Sequence, residues 1–280
     1  MAEIDLGEFD QPVLIFGGCY SNLAATETLR WRAAELGIPA DRVICSGDVV
    51  AYCGEPENTV TLVREWGVPV LQGNCEESLG QGMDDCGCGF NKDSQCDLLS
   101  VQWYRYATEQ LSKESCDWMT KLPTRIRFNM AGRACVMVHG SVLSMNEFVF
   151  ASTLGKTKLN QITEAEADIV IAGHSGIPFG QILGDSGSAW LNSGVVGMPA
   201  NDGTPDGWYM LMRPEDGRIR VSWHRLKYPY QQTQQSMLAA GLDSPYVAAL
   251  EKGIWPSDDI LPEAEKASTG SRLLPAELVI

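Results

Sequence analysis

Two β-sheets packed face to face, with helices on their outer sides, are what the order of segments in this chain predicts. Three observations carry that α/β assignment. Strand and helix alternate from Val13 to Leu71, consecutive strands follow beyond Pro123, and four strands are short unbroken apolar runs of the kind buried within a sheet. After a first strand opening at Val13, Ala25, Leu29, Ala33 and Leu36 recur at helical spacing until Gly37 closes the segment. Val43-Ile44-Cys45 is the next strand, and Pro56, which needs no N–H partner at a helix start, opens a helix over 57–66. Val68-Pro69-Val70-Leu71 reads as a third strand. Residues 80–100, rich in Gly, Asp and Cys, read as a loop-like insertion ahead of helices over 101–111 and 112–121. Ser112 caps the second of these without the Glu or Gln of a full capping box.

Strands follow at 126–128, 134–138, 169–172, 189–191, 208–212 and 218–223. The tail from Tyr228 holds two helical stretches, 231–240 and 245–251, that either pack over the sandwich or complete a homo-oligomer contact. Ser268-Thr269-Gly270-Ser271 reads as a frayed end. No stretch is long enough to serve as a linker. One domain over 1–280 is expected, with a loop insertion at about 80–100 and a helical C-terminal extension at about 228–280.

Composition narrows the function. A chain of 280 residues that is 44% apolar can fill a large core. A formal charge of −15 repels a phosphate backbone, whose binding needs clustered Lys and Arg, so nucleic acid is not an expected partner. The acidic first ten residues lack a positive n-region, and no run reaches the ~18 apolar residues of a membrane span. No membrane partner is expected, and a cytoplasmic location is. Nine cysteines, an odd number, point to mostly reduced thiols rather than a disulfide framework, with Cys45, Cys116 and Cys135 as core packing.

Four motifs carry the chemistry: Gly47-Asp48, Gly73-Asn74, His139-Gly140 and Gly173-His174. Each sets a metal-capable side chain beside a glycine at the end of an apolar run. Strands of one sheet deliver their C-terminal ends to one edge, so Asp48, Asn74, His139 and His174 are expected to converge. A carboxylate, an amide oxygen and two imidazoles form a mixed O/N set suited to Mn, Fe, Zn or Ni, with no soft thiolate required. The chain has three histidines, and the third, His224, lies outside the motifs and reads as structural. Gly155-Lys156-Thr157 looks like the end of a phosphate loop, but Phe150 stands where the earlier glycine would be.

This series resembles the calcineurin-like metallophosphoesterases, whose motifs run D-x-H, G-D, G-N-H-[DE], a histidine before glycine, and G-H-x-H. The resemblance spans about 13–199. It includes Ser21-Asn22-Leu23, Ile177-Pro178-Phe179, and Asn192-Ser193-Gly194-Val195-Val196-Gly197-Met198-Pro199, which is similar to the family's N-P-G-S-V-G-x-P. It implies a calcineurin-like αββα sandwich of two mixed sheets flanked by helices, carrying a pair of metal sites. Two departures stand out. Gly18-Cys19-Tyr20 occupies the place of D-x-H, and Gly176 the place of the last histidine.

By that carry-over one half-site is stripped of ligands, while Asp48, Asn74, His139 and His174 complete the other. One divalent transition metal per chain is expected, a second only through other ligands such as Tyr20, Cys86, Cys88 or Asp84-Asp85. Cys75 stands where many relatives carry a histidine that assists the leaving group, which makes it a candidate proton donor or nucleophile, or a pocket residue without catalytic part. Glu76 is a candidate to orient a neighbour. Tyr20 is expected to point its phenol at the vacated space, to hydrogen-bond a substrate phosphate, donate a proton or bind ferric iron, or else to fill the hole with its ring. Tyr52 lies one residue off the tyrosine ligand of the purple acid phosphatase branch and is not expected to ligate. The Asp84-Asp85-Cys86-Gly87-Cys88-Gly89-Phe90 segment, with Cys96 beyond it, is expected to shape the pocket as a lid.

The function so implied is hydrolysis of a small phosphorylated substrate, a phosphodiester or phosphomonoester, by a metal-activated water. Two alternatives stay open on the same fold: a metalloenzyme of another reaction class, and a catalytically silent protein that binds a phosphorylated ligand.

Overall fold

The computed structural model describes residues 2–184 and 187–280. In chain order its strands are β1 (Glu3–Phe9), β2 (Val13–Phe16), β3 (Val43–Cys45), β4 (Arg125–Met130), β5 (Arg133–Met137), β6 (Ile169–Ala172), β7 (Phe179–Leu183), β8 (Ser188–Asn192), β9 (Gly207–Glu215), β10 (Arg218–Leu226) and β11 (Leu278–Val279). Its helices are α1 (Leu23–Glu35), α2 (Pro56–Trp66), α3 (Asn74–Gln81), α4 (Gln95–Gln110), α5 (Lys113–Met119), α6 (Gly155–Glu164), α7 (Tyr230–Ala239), α8 (Pro245–Lys252) and α9 (Glu263–Ala267). Two mixed sheets result, one in the order β1-β4-β5-β6-β8-β7 and one in the order β11-β10-β9-β2-β3.

Alternation along the strands explains the layering. Ile15 and Ile44 point inward and meet Ile126, Phe128, Ile169, Ile171 and Leu191 of the opposite sheet. Their neighbours Leu14, Phe16, Val43 and Cys45 point outward and are covered by Leu29 of α1, Val60 and Val63 of α2, and Leu79 of α3. On the far side Val136, Val170 and Trp190 pack against Ile162 of α6. Strands covered on both faces have no polar side to show, which is why they read as unbroken apolar runs.

The two-sheet sandwich agrees with the expectation, and four details differ. The convergent motifs do not share one sheet: β3, ahead of Asp48, lies in the five-stranded sheet, whereas β5 and β6, ahead of His139 and His174, lie in the six-stranded one. Residues 68–71 form no strand but a single bridge, Val70 to Cys45, because Pro69 has no N–H to give a ladder. The insertion at 80–100 is half helix: α4 begins at Gln95, where Ser94 accepts the N–H of Asp97 as an N-cap. The end at 268–271 is tied down, since Gly270 N–H donates to Asn201 O at 2.9 Å.

Both chain ends join the sheets. The acidic start forms β1, parallel to β4, with a register shift between Asp5 and Glu8 where Gly7 takes a φ of 75°, the signature of a bulge. Near the C-terminus, Leu278 and Val279 pair with β10. Of the two roles open to the tail, packing over the sandwich is the one observed. Met237 of α7 and Leu250 of α8 are fully buried against the cluster that covers β2 and β3, each contributing on the order of 2 kcal/mol by burial. No described helix is long and apolar enough to cross a membrane.

Candidate metal centre

Two tight turns bring the centre together. After β3 the chain reverses through Gly47 and Asp48, at φ of 97° and 57°. A Cβ on Gly47 would lie 2.8 Å from the Gly73 nitrogen and 2.9 Å from His139 Nδ1, so only glycine allows the approach. Glu76, in the first turn of α3, is fully buried and clamps the turn to the helix. Its carboxylate accepts the N–H groups of Asp48 at 2.8 Å, Val49 at 2.7 Å and Gly73 at 2.9 Å. Burial and the adjacent Asp48 raise Glu76 to about 7, against the pull of those donors. From the other sheet, the N–H groups of Gly173 and His174 both donate to His139 O at 2.9 Å, locking the two histidine turns together.

The side chains then converge on one point. His139 Nδ1 donates to Ser46 O at 2.7 Å, which leaves a lone pair on Nε2 in the neutral ring. That Nε2 faces Asn74 Oδ1 at 3.1 Å, His174 Nδ1 at 3.1 Å and Asp48 Oδ2 at 3.2 Å. Asn74 is oriented by its Nδ2, which donates to Cys86 O at 2.8 Å, so its oxygen is the atom turned to the cluster. All four side chains are buried. Four electron-pair donors crowded together out of water favour a positive charge among them, a proton or a metal ion.

The charges show the same demand. Burial opposes ionisation of Asp48, yet His139 and His174 outweigh it and hold the carboxyl below its usual range. Burial likewise disfavours charge on His139, but Asp48 beside it raises the imidazole above its ordinary value. His174 is driven down to about 3 by burial and by His139, so it is a neutral ring ready to ligate. Its Nε2 is buried without a hydrogen-bond partner among the described residues, and Phe148 stacks on the ring at 4.2 Å. Asp48, His139 and His174 form the group that could hold a metal ion among the described residues. The donor set fits a divalent transition metal, toward which Asn74 Oδ1 would be a candidate fourth donor.

Across the cavity the space beside Gly18 is crowded, while Gly176 faces Trp255 at ordinary contact distance. A Cβ on Gly18 would lie 2.5 Å from Val195 Cγ1 and 2.7 Å from the Tyr20 ring, and one on Gly176 would lie 3.6 Å from Trp255. Tyr20 packs edge-on to Tyr52 at 4.8 Å, and Tyr52 lies against Tyr246 at 4.6 Å. Burial and Asp48 push the Tyr20 phenol well above its ordinary value, which disfavours the phenolate that ferric iron would select. Burial and the Asp48 charge also raise the Cys75 thiol well above its range. Its backbone N–H donates to Asp48 Oδ1 at 3.3 Å, and its side chain lies in the core; the thiolate nucleophile considered from the sequence is disfavoured for that reason.

The loop ligands change in the same way. Cys86 and Cys88 are joined by a disulfide and are not free to bind a second metal as thiolates, which corrects their place among the candidate ligands while the expectation of mostly reduced thiols holds. The other seven cysteines are free. Asp84 and Asp85 are exposed, with Asp85 accepting the Gly87 N–H at 2.8 Å. Cys88 and Phe90 line the cavity, the placement expected of a lid. His224 stacks on Tyr209 at 5.2 Å and does not line the cavity, while Gly155-Lys156-Thr157 is the first turn of α6.

Sequence reasoning missed the rest of the wall: Phe148, Tyr246, Trp255 and Ile260. Nothing local in the sequence ties the tail tryptophan of Trp255-Pro256 to Gly176. The fold has counterparts elsewhere. A protein of Methanocaldococcus jannaschii, described as uncharacterized, is 24% identical over an alignment covering 81% of this chain and 91% of that one. A metallophosphoesterase from Sphaerobacter thermophilus superposes with a TM-score of 0.68 at 22% identity, covering 88% of this chain and all of its own. A hypothetical protein from Pyrococcus horikoshii OT3 gives a TM-score of 0.72 at 14% identity, over 86% of this chain and 98% of its own. The profile of the calcineurin-like phosphoesterase superfamily domain matches residues 21–217, a span containing all four candidate ligands. The chain belongs to the calcineurin-like phosphoesterase superfamily.

Proposed function

We propose that this protein is a metal-dependent phosphoester hydrolase that works with a single divalent transition metal held by Asp48, Asn74, His139 and His174. The observation that supports it best is the buried convergence of Asp48 Oδ2, Asn74 Oδ1 and His174 Nδ1 on His139 Nε2 within 3.2 Å. When bound, Mn, Fe, Zn or Ni supplies Lewis acidity toward a phosphoryl oxygen and toward water. The chain supplies the rest. Ser46 O fixes the His139 tautomer, Phe148 holds the His174 ring, and Glu76 holds the Asp48 turn as a positioning residue. Tyr20, whose phenol keeps its proton, is the hydrogen-bond donor for a bound phosphate. Cys75 is a core residue without a catalytic role in this reading. The substrate is a small phosphorylated molecule, a phosphodiester or phosphomonoester.

A second reading, a catalytically silent binder of phosphorylated ligands, is favoured by Gly18, Tyr20 and Gly176, which leave a second metal without the family's ligands for a two-metal clamp on attacking and leaving oxygens. Protein purified without chelators is expected to hold about one transition-metal equivalent per chain and to hydrolyse aryl phosphate esters. Asp48→Asn should lose both, the metal by elemental analysis and the turnover by ~10³-fold or more. One metal without turnover across aryl mono- and diesters selects the silent binder, and two equivalents in the wild type overturn the single-metal reading.

A further inference from the structure

Resting on the single-metal reading, we infer that Cys86 and Cys88 are a redox modification site: their disulfide holds the loop that orients Asn74, and its reduction by a dithiol weakens metal binding at the centre. Cys86 O accepts the Asn74 amide at 2.8 Å, and Cys88 Sγ lies 3.3 Å from the same Nδ2. The disulfide therefore closes on the groups that turn Asn74 Oδ1 toward His139 Nε2, 3.1 Å away. An amide released from those partners is free to rotate and to present its N–H₂ end, a donor with no lone pair for a metal, to the cluster.

The same loop reaches the second histidine. Gly87 O accepts Asn146 Nδ2 at 3.1 Å, and Phe90 stacks at 6.4 Å on Phe148, the ring that stacks in turn on His174. A Cβ on Gly87 would lie 2.7 Å from Ser78 Oγ, and one on Gly89 would lie 3.1 Å from Asn146 O. Two residues without side chains thus thread the loop between α3 and Asn146, and the covalent link fixes the turn between them.

Stability alone does not account for that link. A disulfide constrains the unfolded chain more as the loop it closes lengthens, and cysteines two residues apart close a very short one. The pairing is also selective, since seven cysteines are free, Cys75 among them although its Sγ lies 3.5 Å from the same Asn74 Nδ2. Both bonded cysteines are buried, while Met83, Asp84, Asp85 and Gly89 around them are exposed. Local opening of this loop is enough to bring a dithiol to the sulfurs. The exchange balances: the bond between Cys86 and Cys88 breaks, one S–S bond forms in the dithiol, and its two electrons and two protons pass to the protein as two thiols.

Thiol counting and metal binding test this together. Protein treated with oxidised glutathione, then unfolded and alkylated, is expected to show seven modified cysteines by mass spectrometry, and nine after dithiothreitol. Each form, stripped of metal by a chelator and freed of reagents by gel filtration under argon, is titrated with manganese by calorimetry. Manganese prefers oxygen and nitrogen donors to thiolates, which keeps the freed sulfurs out of the reading. Affinity is expected to fall about 10-fold or more on reduction, as when the support of a ligand is lost, and to return on reoxidation. Cys86→Ser combined with Cys88→Ser should bind manganese as the reduced protein does and ignore dithiothreitol, whereas Cys116→Ala, which removes a partly exposed free thiol, should keep the response. If the double variant does not fold, the two forms of the wild type decide alone. Nine modified cysteines after oxidation, equal affinity in the two forms, tighter binding after reduction, or a response that survives in the double variant overturns the inference and leaves the single-metal reading standing. If neither form binds manganese, the single-metal reading falls and takes the inference with it.

Discussion

Glycine does opposite work on the two sides of the cavity. On the ligand side, Gly47 and Gly73 let backbone turns from different elements approach until a Cβ on Gly47 would strike His139 and one on Gly73 would strike Asp48. The absent side chains bring functional atoms closer than any other residue would permit. On the opposite side, Gly18 and Gly176 make space that neighbours occupy: the Tyr20 ring and Val195 above Gly18, Trp255 above Gly176. Val195 stands where the N-P-G-S-V-G-x-P pattern has serine, so this change fits the same apolar remodelling. One half concentrates charge and lone pairs; the other excludes them. A single substitution could strip a metal ligand, but a packed aromatic wall needs several residues to agree, which points to a rebuilt pocket rather than to simple decay.

The harshest way to break this comparison is to rebuild the stripped half. Gly18→Asp, Tyr20→His and Gly176→His together should fail to recruit a second metal and should destabilise the fold by more than about 3 kcal/mol. All three positions are at positive φ, the two glycines at 52° and 69° gain a Cβ there, and the new Cβ at 18 meets Val195, so strain and overpacking add. Chemical denaturation and elemental analysis measure the two effects. A stable triple variant with two metals per chain would show that the half-site was merely vacant. Adding Val195→Ser should recover part of the lost stability.

Glu76→Gln probes the ligand side at its support. The amide keeps the shape but can no longer accept on both arms, so one of three backbone N–H groups, those of Asp48, Val49 and Gly73, is left buried and unmet. The expected cost is ~1–3 kcal/mol in stability, with a ~10–100-fold weaker metal affinity. Unchanged metal affinity in a folded variant would remove Glu76 from the positioning role. Tyr20→Phe is milder, keeping the ring in the wall while removing the hydroxyl. Turnover should fall by about 10-fold, the worth of one hydrogen bond to a charged group, with stability little altered. An unchanged rate would leave the ring as a wall and nothing more.

The smallest expected effect at the site is none, and Lys158 supplies that control. It is fully buried on α6, where its Nζ donates to Gln181 Oε1 at 2.8 Å and Ala151 O at 2.9 Å. Burial lowers it from 10.5 to about 8. Between those values the unfolded chain binds the proton that the folded chain has shed, so this group makes stability rise with pH across that window and penalises the charged form below it. Lys158→Met should flatten that rise in denaturation curves taken from pH 7.5 to 10.5 and leave metal content as in the wild type. A variant that keeps the full pH dependence would assign the rise to another group.

How much of this was legible depends on where the information lies along the chain. The four ligand motifs were readable because each is local, a polar side chain and a glycine at the end of a strand whose burial on both faces makes it uniformly apolar. Cys45 and Cys135 in the core followed from the same runs. The terminal strands were hidden: β1 alternates acidic and apolar residues at a sheet edge and breaks register at Gly7, and β11 is two residues long, held by pairing with β10 rather than by any propensity of its own.

By itself, then, the sequence determined the layered fold and the identity of the converging side chains, because hydrophobic period and glycine-flanked polar residues are properties of short segments. Only the tertiary structure decided that the two sheets contribute opposite sides of the cluster, and that the stripped half is a wall and not a void. In a sequence Gly18 and Gly176 appear only as missing ligands. What fills the volume they release comes from Val195 and Trp255, far along the chain, and close packing, which leaves few voids as large as a side chain, can be read only once those distant segments are brought together in space.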